Sequence, residues 1–187
     1  MSENTAPAAA RTVVVLVGSL RAESVNRKLA RLIAGVAPAD VDVQIVDDLS
    51  TLPYYNQDLD SDGLHGDAVE DLRTQVGAAD AVLLATPEYN GGLPAVLKNA
   101  IDWLSRPYGA GAFTGKPVGV IGAALSAHAA EWARRDARTA VGIAGGHVVE
   151  EIDFGVRSGE FDETSAELAE QAAAALNGVL EPVSAGA

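Results

Sequence analysis

Residues 12–36 read TVVVLVGSLRAESVNRKLARLIAGV. Thr12 to Val17 is an unbroken apolar, mostly β-branched run, as expected of a strand covered on both faces of a parallel sheet. Ser24 to Val36 follows with Val25, Leu29, Leu32, Ile33 and Val36 at helical spacing, and Pro38 stands just beyond its end. Between the two, Gly18 to Glu23 forms a loop that opens directly onto a helix N-terminus.

The same unit recurs down the chain. Val41 to Val46 alternates with period two, which fits a less buried edge strand, and Val69, Leu72 and Val76 mark a second helix. Asp80 to Ala85 is another buried run. Pro94 suits the first turn of a third helix whose apolar face runs through Leu97, Ile101 and Leu104. Val118 to Ile121 is a fourth strand, followed by a helix rich in alanine and arginine around Trp132. His147 to Ile152 is the fifth, and Thr164 with Glu167 makes a capping-box pair for a last helix that buries Leu168, Leu176 and Leu180. Strict alternation with short connections predicts an α/β fold: five parallel strands with helices on both faces. One domain is expected over residues 12–181, with a disordered tail at 1–11 and a loose one at 182–187. Two topologies fit, the Rossmann order and the flavodoxin order 2-1-3-4-5. Both bind ligands beyond the carboxyl ends of the strands, at a switch point; in the flavodoxin order it lies between the first and third strands. The loops to inspect are then 18–24 and 86–93.

Composition removes several kinds of function. The 187 residues carry a formal net charge of −13, which opposes non-specific binding to nucleic acid or an anionic membrane. There is no cysteine, hence no disulfide, thiol nucleophile or iron–sulfur ligand, and three scattered histidines make a poor metal set. Redox chemistry here requires an organic cofactor. The opening MSENTAPAAA lacks the apolar core of a signal peptide, and no stretch reaches membrane-spanning length, so a cytoplasmic protein is expected.

The first loop reads as an anion site. A helix N-terminus offers free N–H groups and partial positive charge, and Ser19, Ser24, the Asn26 amide and the Arg21 guanidinium add donors. With Ser24 as N-cap, Arg21, Arg27 and Lys28 all crowd an end where cations oppose the helix dipole by roughly 0.3–1 kcal/mol; a bound dianion reverses that sign. Neither GxGxxG nor the GxxxxGK[ST] loop occurs here. The second loop, Pro87-Glu88-Tyr89-Asn90-Gly91-Gly92-Leu93-Pro94, combines an aromatic face with glycines that let backbone approach a flat ligand. The bland alternatives are a Ser-capped turn with solvated arginines and a tight turn ahead of a helix.

GSLRAESVNRKLA (18–30) closely resembles the phosphate loop of the NADPH-dependent FMN reductase family, and PEYNGGLPAVLKNAIDWLSRP (87–107) resembles that family's other signature. The resemblance implies a flavodoxin-like fold, FMN as cofactor and NADPH or NADH as co-substrate. Hydride would pass from nicotinamide to flavin and on to a small acceptor such as a quinone or flavin. It places Ser19, Arg21, Ser24, Val25 and Asn26 around the FMN phosphate. Pro87, Glu88, Tyr89, Asn90 and Gly91 would line the isoalloxazine and ribityl chain. No catalytic side chain and no metal ligand is implied. A homodimer or homotetramer is expected, with Trp103 and Arg106 near a subunit contact, although Trp103 reads equally as core. After the fourth strand the chain departs from the family: Gly122-Ala-Ala-Leu-Ser126-Ala-His128 replaces a glycine-rich loop. Ser126 is expected to donate to the flavin rim and His128 to touch substrate or to start a helix; His65 and His147 read as structural. The alternative to a reductase is a flavodoxin-type FMN electron carrier, which the acidity suits.

Overall fold

The computed structural model describes residues 11–61 and 63–181. The expected tails lie outside these residues except for Arg11, which already belongs to the first strand. The elements are β1 (Arg11–Val17), α1 (Val25–Gly35), β2 (Val41–Val46), α2 (Asp67–Ala78), β3 (Ala81–Thr86), α3 (Ala95–Leu104), β4 (Pro117–Ala124), α4 (Glu131–Ile143), β5 (His147–Val148), β6 (Phe154–Arg157) and α5 (Ala166–Leu180). All strand pairs are parallel, in the order β2-β1-β3-β4-β5 with β6 also on β4. This is the flavodoxin-like arrangement.

The unbroken apolar runs sit in the middle because both of their faces are covered. Val13, Val15 and Val17 of β1 point with Leu83 of β3 toward Leu29 and Ile33 of α1 and Leu176 and Val179 of α5. Val14 and Leu16 point with Val82 and Leu84 the other way, toward α2, α3 and α4. All of β1 from Val13 to Val17 is fully buried, and each such side chain contributes roughly 1.5–3 kcal/mol. The alternating β2 is the partly exposed edge strand that its pattern predicts.

Three sequence expectations are corrected. The fifth strand is broken: β5 ends at Val148, residues 149–153 bulge out, and β6 resumes the pairing at Phe154. Two residues of β4, Gly119 and Val120, lie opposite these five. The bulge tucks Ile152 into the core above Gly119, where a Cβ would stand 2.6 Å from Ile152 Cδ1. It also presents Asp153 to Arg134 of α4, whose guanidinium holds that carboxyl below its ordinary pKa range. Second, the last helix is capped by Ser165, whose Oγ accepts from the Leu168 N–H at 3.3 Å, and not by Thr164, which bonds Asp162 instead. Only Leu176 of the three leucines is fully buried; Leu168 and Leu180 are half-buried. Third, Pro94 stands at the N-cap of α3, one position ahead of its first turn.

Trp103 belongs to the core. It is fully buried, donates from Nε1 to the Pro53 carbonyl at 2.8 Å, and meets the edge of Tyr55 at 4.9 Å between centroids. Asn99, one turn earlier, bonds the same carbonyl and the Tyr55 N–H, so α3 pins the long β2–α2 connection.

His65 closes that connection. It is 7% exposed, with Nδ1 2.9 Å from the Ser61 carbonyl and Nε2 3.1 Å from Glu70 Oε2. Two acceptors around one imidazole require the doubly protonated ring. Glu70 and then the Ser61 carbonyl therefore raise its pKa, against the opposing effects of burial and the nearby Arg73. A raised folded-state pKa means stabilisation fully present below the unfolded value, about 6.5, and lost as pH rises through the folded one. The stability difference between the natural protein and His65→Asn, measured by urea denaturation, is expected to be largest below about pH 6.5 and to shrink as pH rises above it.

Candidate functional site

The carboxyl ends of β1, β3, β4 and β6 open onto a crevice of about 210 Å³. It is lined by Ser19, Arg21, Ser24, Val25 and Asn26 from the first loop and by Pro87, Glu88 and Tyr89 from the second, with Ser126 beside them. Nine of the eleven sequence-predicted site residues thus meet in one place. Asn90 and Gly91 lie at the tip of the second loop, outside the lining. The crevice is not confined to the gap between β1 and β3. It reaches across the end of β4 (Ala123 to Leu125) to Ser158 just after β6, residues that the motifs did not single out.

The side chains of the first loop divide their contacts in a way the sequence did not show. Ser24 caps α1, its Oγ accepting from the Arg27 N–H at 3.4 Å. Among the described residues, the N–H groups of Ser24, Val25 and Asn26 have no protein acceptor, though Ser24 and Asn26 are buried. Of the three expected cations, two are occupied elsewhere. Arg27 donates to the carbonyls of Arg21, Ala22 and Asp47, and its Nε pairs with the Asp47 carboxylate at 2.9 Å, off the angle of a hydrogen bond. It is a staple that fixes the loop to the end of β2. Lys28 pairs with Glu23 at 3.7 Å. The exposed Arg21 guanidinium has no partner among the described residues and borders the crevice. The buried Ser19 also borders it.

Asn26 is not an open donor either. Its Oδ1 accepts from the Ala123 N–H at 2.8 Å and its Nδ2 donates to the Ala123 carbonyl at 3.0 Å. The side chain copies a strand's pairing and locks the start of α1 to the end of β4. Its backbone N–H, at the second helical position, has no acceptor among the described residues.

The second loop is a two-residue turn. Asn90 (φ 53°) and Gly91 (φ 73°) are both left-handed, and Tyr89 and Gly92 exchange N–H···O bonds at 3.2 and 3.1 Å. An Asn-Gly pair adopts this primed turn at low steric cost. It holds Tyr89 at the crevice mouth, half exposed.

β4 runs on to Ala124, so the departing third loop begins at Leu125, which is 82% exposed. Ala129 (φ 48°) and Ala130 (φ 63°) then adopt consecutive left-handed conformations, each costing an alanine roughly 1–2 kcal/mol. No local side chain caps α4. Glu88 does so from the second loop: Oε2 accepts from the N–H groups of Trp132 (3.0 Å) and Ala133 (3.3 Å), while Ser126 Oγ stands 3.5 Å from Oε1. The Trp132 ring packs over Gly91, and His128 lies over Trp132 at 4.6 Å between centroids. Among the described residues there is no cluster of three or more metal-ligating side chains, and no helix is long and apolar enough to cross a membrane.

The sequence profile of a family described as NADPH-dependent FMN reductase matches residues 11–160. A 2-hydroxy-1,4-benzoquinone reductase from a Burkholderia species is 44% identical over 115 residues, 62% of this chain and 61% of that protein. A quinone reductase of Pseudomonas putida is 46% identical over 110 residues, 59% of this chain and 58% of that protein. The chain therefore spans about three fifths of the length of these curated relatives. Among solved structures, the flavoenzyme NAD(P)H:(acceptor) oxidoreductase FerB of Paracoccus denitrificans superposes with a TM-score of 0.80 at 31% identity. That match covers 91% of this chain and 98% of FerB.

Proposed function

The chain belongs to the NADPH-dependent FMN reductase family, and from that membership we propose that it holds FMN in the crevice and reduces a small acceptor at the expense of NADPH or NADH. The observation that carries the reading is the lopsided crevice. The end formed by the first loop gathers Arg21, the Ser19 hydroxyl and the N–H groups of Ser24, Val25 and Asn26, none of these N–H groups nor Arg21 having a partner among the described residues; the other, formed by the second and third loops, has Tyr89, Leu125 and Ser126 in its lining. A terminal phosphate suits the first end and a flat heterocycle the second. Pro87, Asn90 and Gly91 would approach the ring through backbone. Bound FMN supplies two-electron transfer between nicotinamide and acceptor. The protein binds it, orients it and leaves one face open. A quinone, as the names of the relatives suggest, or a free flavin, as the family's description suggests, is the acceptor class.

The nearest competing reading, a flavodoxin-type carrier passing single electrons, draws on the net charge of −13, which suits docking on basic partners. Stopped-flow mixing separates the two. In the reductase, NADPH or NADH bleaches the flavin of the FMN-loaded protein within turnover time. Because both substrates must bring a reacting atom within about 3–3.5 Å of the one open face, double-reciprocal plots at several acceptor concentrations should be parallel. Failure of both nicotinamides to bleach the flavin would overturn the reductase and favour the carrier.

If the first loop holds the phosphate, FMN should bind more tightly than riboflavin, and Arg21→Ala should erase much of that preference. A hydrogen bond to a charged group is worth roughly 1.5–3 kcal/mol, or about ten- to over a hundredfold in affinity. Fluorescence titration of both flavins reads this out, and equal affinities would remove the phosphate site.

A homodimer or homotetramer accompanies this proposal. Its support is a groove of about 590 Å³ between α3 and α4, where Tyr108 is 84% exposed and Ile143 76% exposed. Arg106 lines the same groove. Light scattering at micromolar concentration should report at least a dimer; a monomer there would count against it.

A further inference from the structure

We infer that Glu88 is a positioning residue which acts through the third loop rather than on the flavin, and that it sets how the acceptor enters the crevice. The inference rests on the reductase reading for its effect on the acceptor, and on the structure alone for the clamp.

The side chain of Glu88 is already occupied. Oε2 takes the two N–H groups that open α4, at 3.0 and 3.3 Å, and Oε1 faces Ser126 Oγ at 3.5 Å. A carboxylate at a helix N-terminus satisfies donors that otherwise have no acceptor and meets the positive end of the helix dipole. The residue that would ordinarily do this, the helix's own N-cap, is Ala130, which has no side-chain acceptor. Ala129 and Ala130 both hold left-handed backbone, a conformation that alanine leaves readily unless the surroundings impose it. The second loop thus imposes the shape of the third.

What the clamp holds is the start of α4 and, through it, the loop whose Leu125 and Ser126 line the crevice. Trp132 donates to Glu88 and lies against Gly91, with its ring 3.3 Å from where a Cβ there would sit. His128 rides on Trp132 at 4.6 Å, and Ser126 and Leu125 line the crevice. None of these belongs to the anion end. Loss of the clamp should therefore loosen the acceptor's surroundings while leaving the phosphate loop, held by Arg27 and Asn26, in place.

Three variants separate reach from charge. Glu88→Ala removes the acceptor oxygens. Glu88→Asp keeps the charge but is one methylene too short. Glu88→Gln keeps the length and one oxygen. Hydrogen exchange of the folded protein should show the Trp132 and Ala133 amides opening about tenfold or more faster in Glu88→Ala and Glu88→Asp, and close to the natural rate in Glu88→Gln. In the FMN-loaded protein with NADPH and menadione, Ala and Asp should raise KM for menadione several-fold more than they raise the Kd for FMN, and Gln should largely restore it. Unchanged exchange in Glu88→Ala overturns the clamp. Loss of FMN affinity as large as the rise in KM overturns the division of roles, because Glu88 would then act on the flavin directly. If Glu88→Ala does not fold, the Asp and Gln pair gives the same comparison. If the natural protein is not reduced by either nicotinamide, the reductase reading fails on its own, and exchange with FMN titration still decides whether Glu88 clamps α4 or binds flavin.

Discussion

The two hydrogen bonds between the Asn26 side chain and the Ala123 backbone hold the crevice together. A parallel sheet places all its helix-opening loops at one end, but nothing in strand pairing fixes those loops against one another. Asn26 does so over a separation of 97 residues, by presenting an amide to β4 as though it were another strand. Both groups it satisfies are buried, where an unpaired N–H costs about 1–3 kcal/mol. The start of α1 can therefore lie close over β4 without leaving the Ala123 N–H stranded, and Ser24, Val25 and Asn26 line the crevice there.

Two other long-range contacts complete the frame, each using a charged side chain against backbone. Arg27 reaches from α1 to the Asp47 carbonyl at the end of β2 while holding the carbonyls of its own loop. Glu88 reaches from the second loop to the first N–H groups of α4. In both cases a charge meets several backbone dipoles of the opposite sense, which makes for stronger bonds than neutral pairs and fixes direction as well as distance. The three loops become one rigid rim on a sheet whose own hydrogen bonds stop short of it.

Much of this was legible in residue order. The continuous run of β1, the period-two run of β2 and the helical spacing of Val25, Leu29, Leu32 and Ile33 are local signals, and the elements follow them. The two loop motifs also led to one crevice. The split of β5 from β6 was not legible. His147 to Ile152 (HVVEEI) reads as one strand despite its paired glutamates, and only the bareness of Gly119 on a neighbouring strand makes room for Ile152 to leave the ladder and turn inward. Ser158 went unnoticed for the same reason, since it reaches the crevice only because β6 resumes beside β4. The duties of Arg27, Asn26 and Glu88 depend on Asp47, Ala123 and Trp132, at separations of 20, 97 and 44 residues. Residue type at the first loop led to the crevice, but the proposed phosphate donors shrink to Arg21, the serines and the backbone once partners are counted.

That reduction changes how an acidic protein could hold an anionic cofactor. A net charge of −13 repels a phosphate at long range, but in physiological salt that repulsion is screened over about 8 Å. Inside this distance, what matters is which charges remain unspent. Arg27 and Lys28 each have an acidic partner, so their fields largely cancel against Asp47 and Glu23. Arg21 has none among the described residues, and the helix N-terminus beside it carries partial positive charge that no side-chain carboxylate offsets, since α1 has no acidic residue in its first turn. The helices α2, α4 and α5 do have such residues, Asp67 with Glu70, Glu131 and Glu167 respectively, while α3 has none. The end of α1 is thus left locally positive on an acidic surface, and a phosphate bound there would replace the compensation that the sequence withholds.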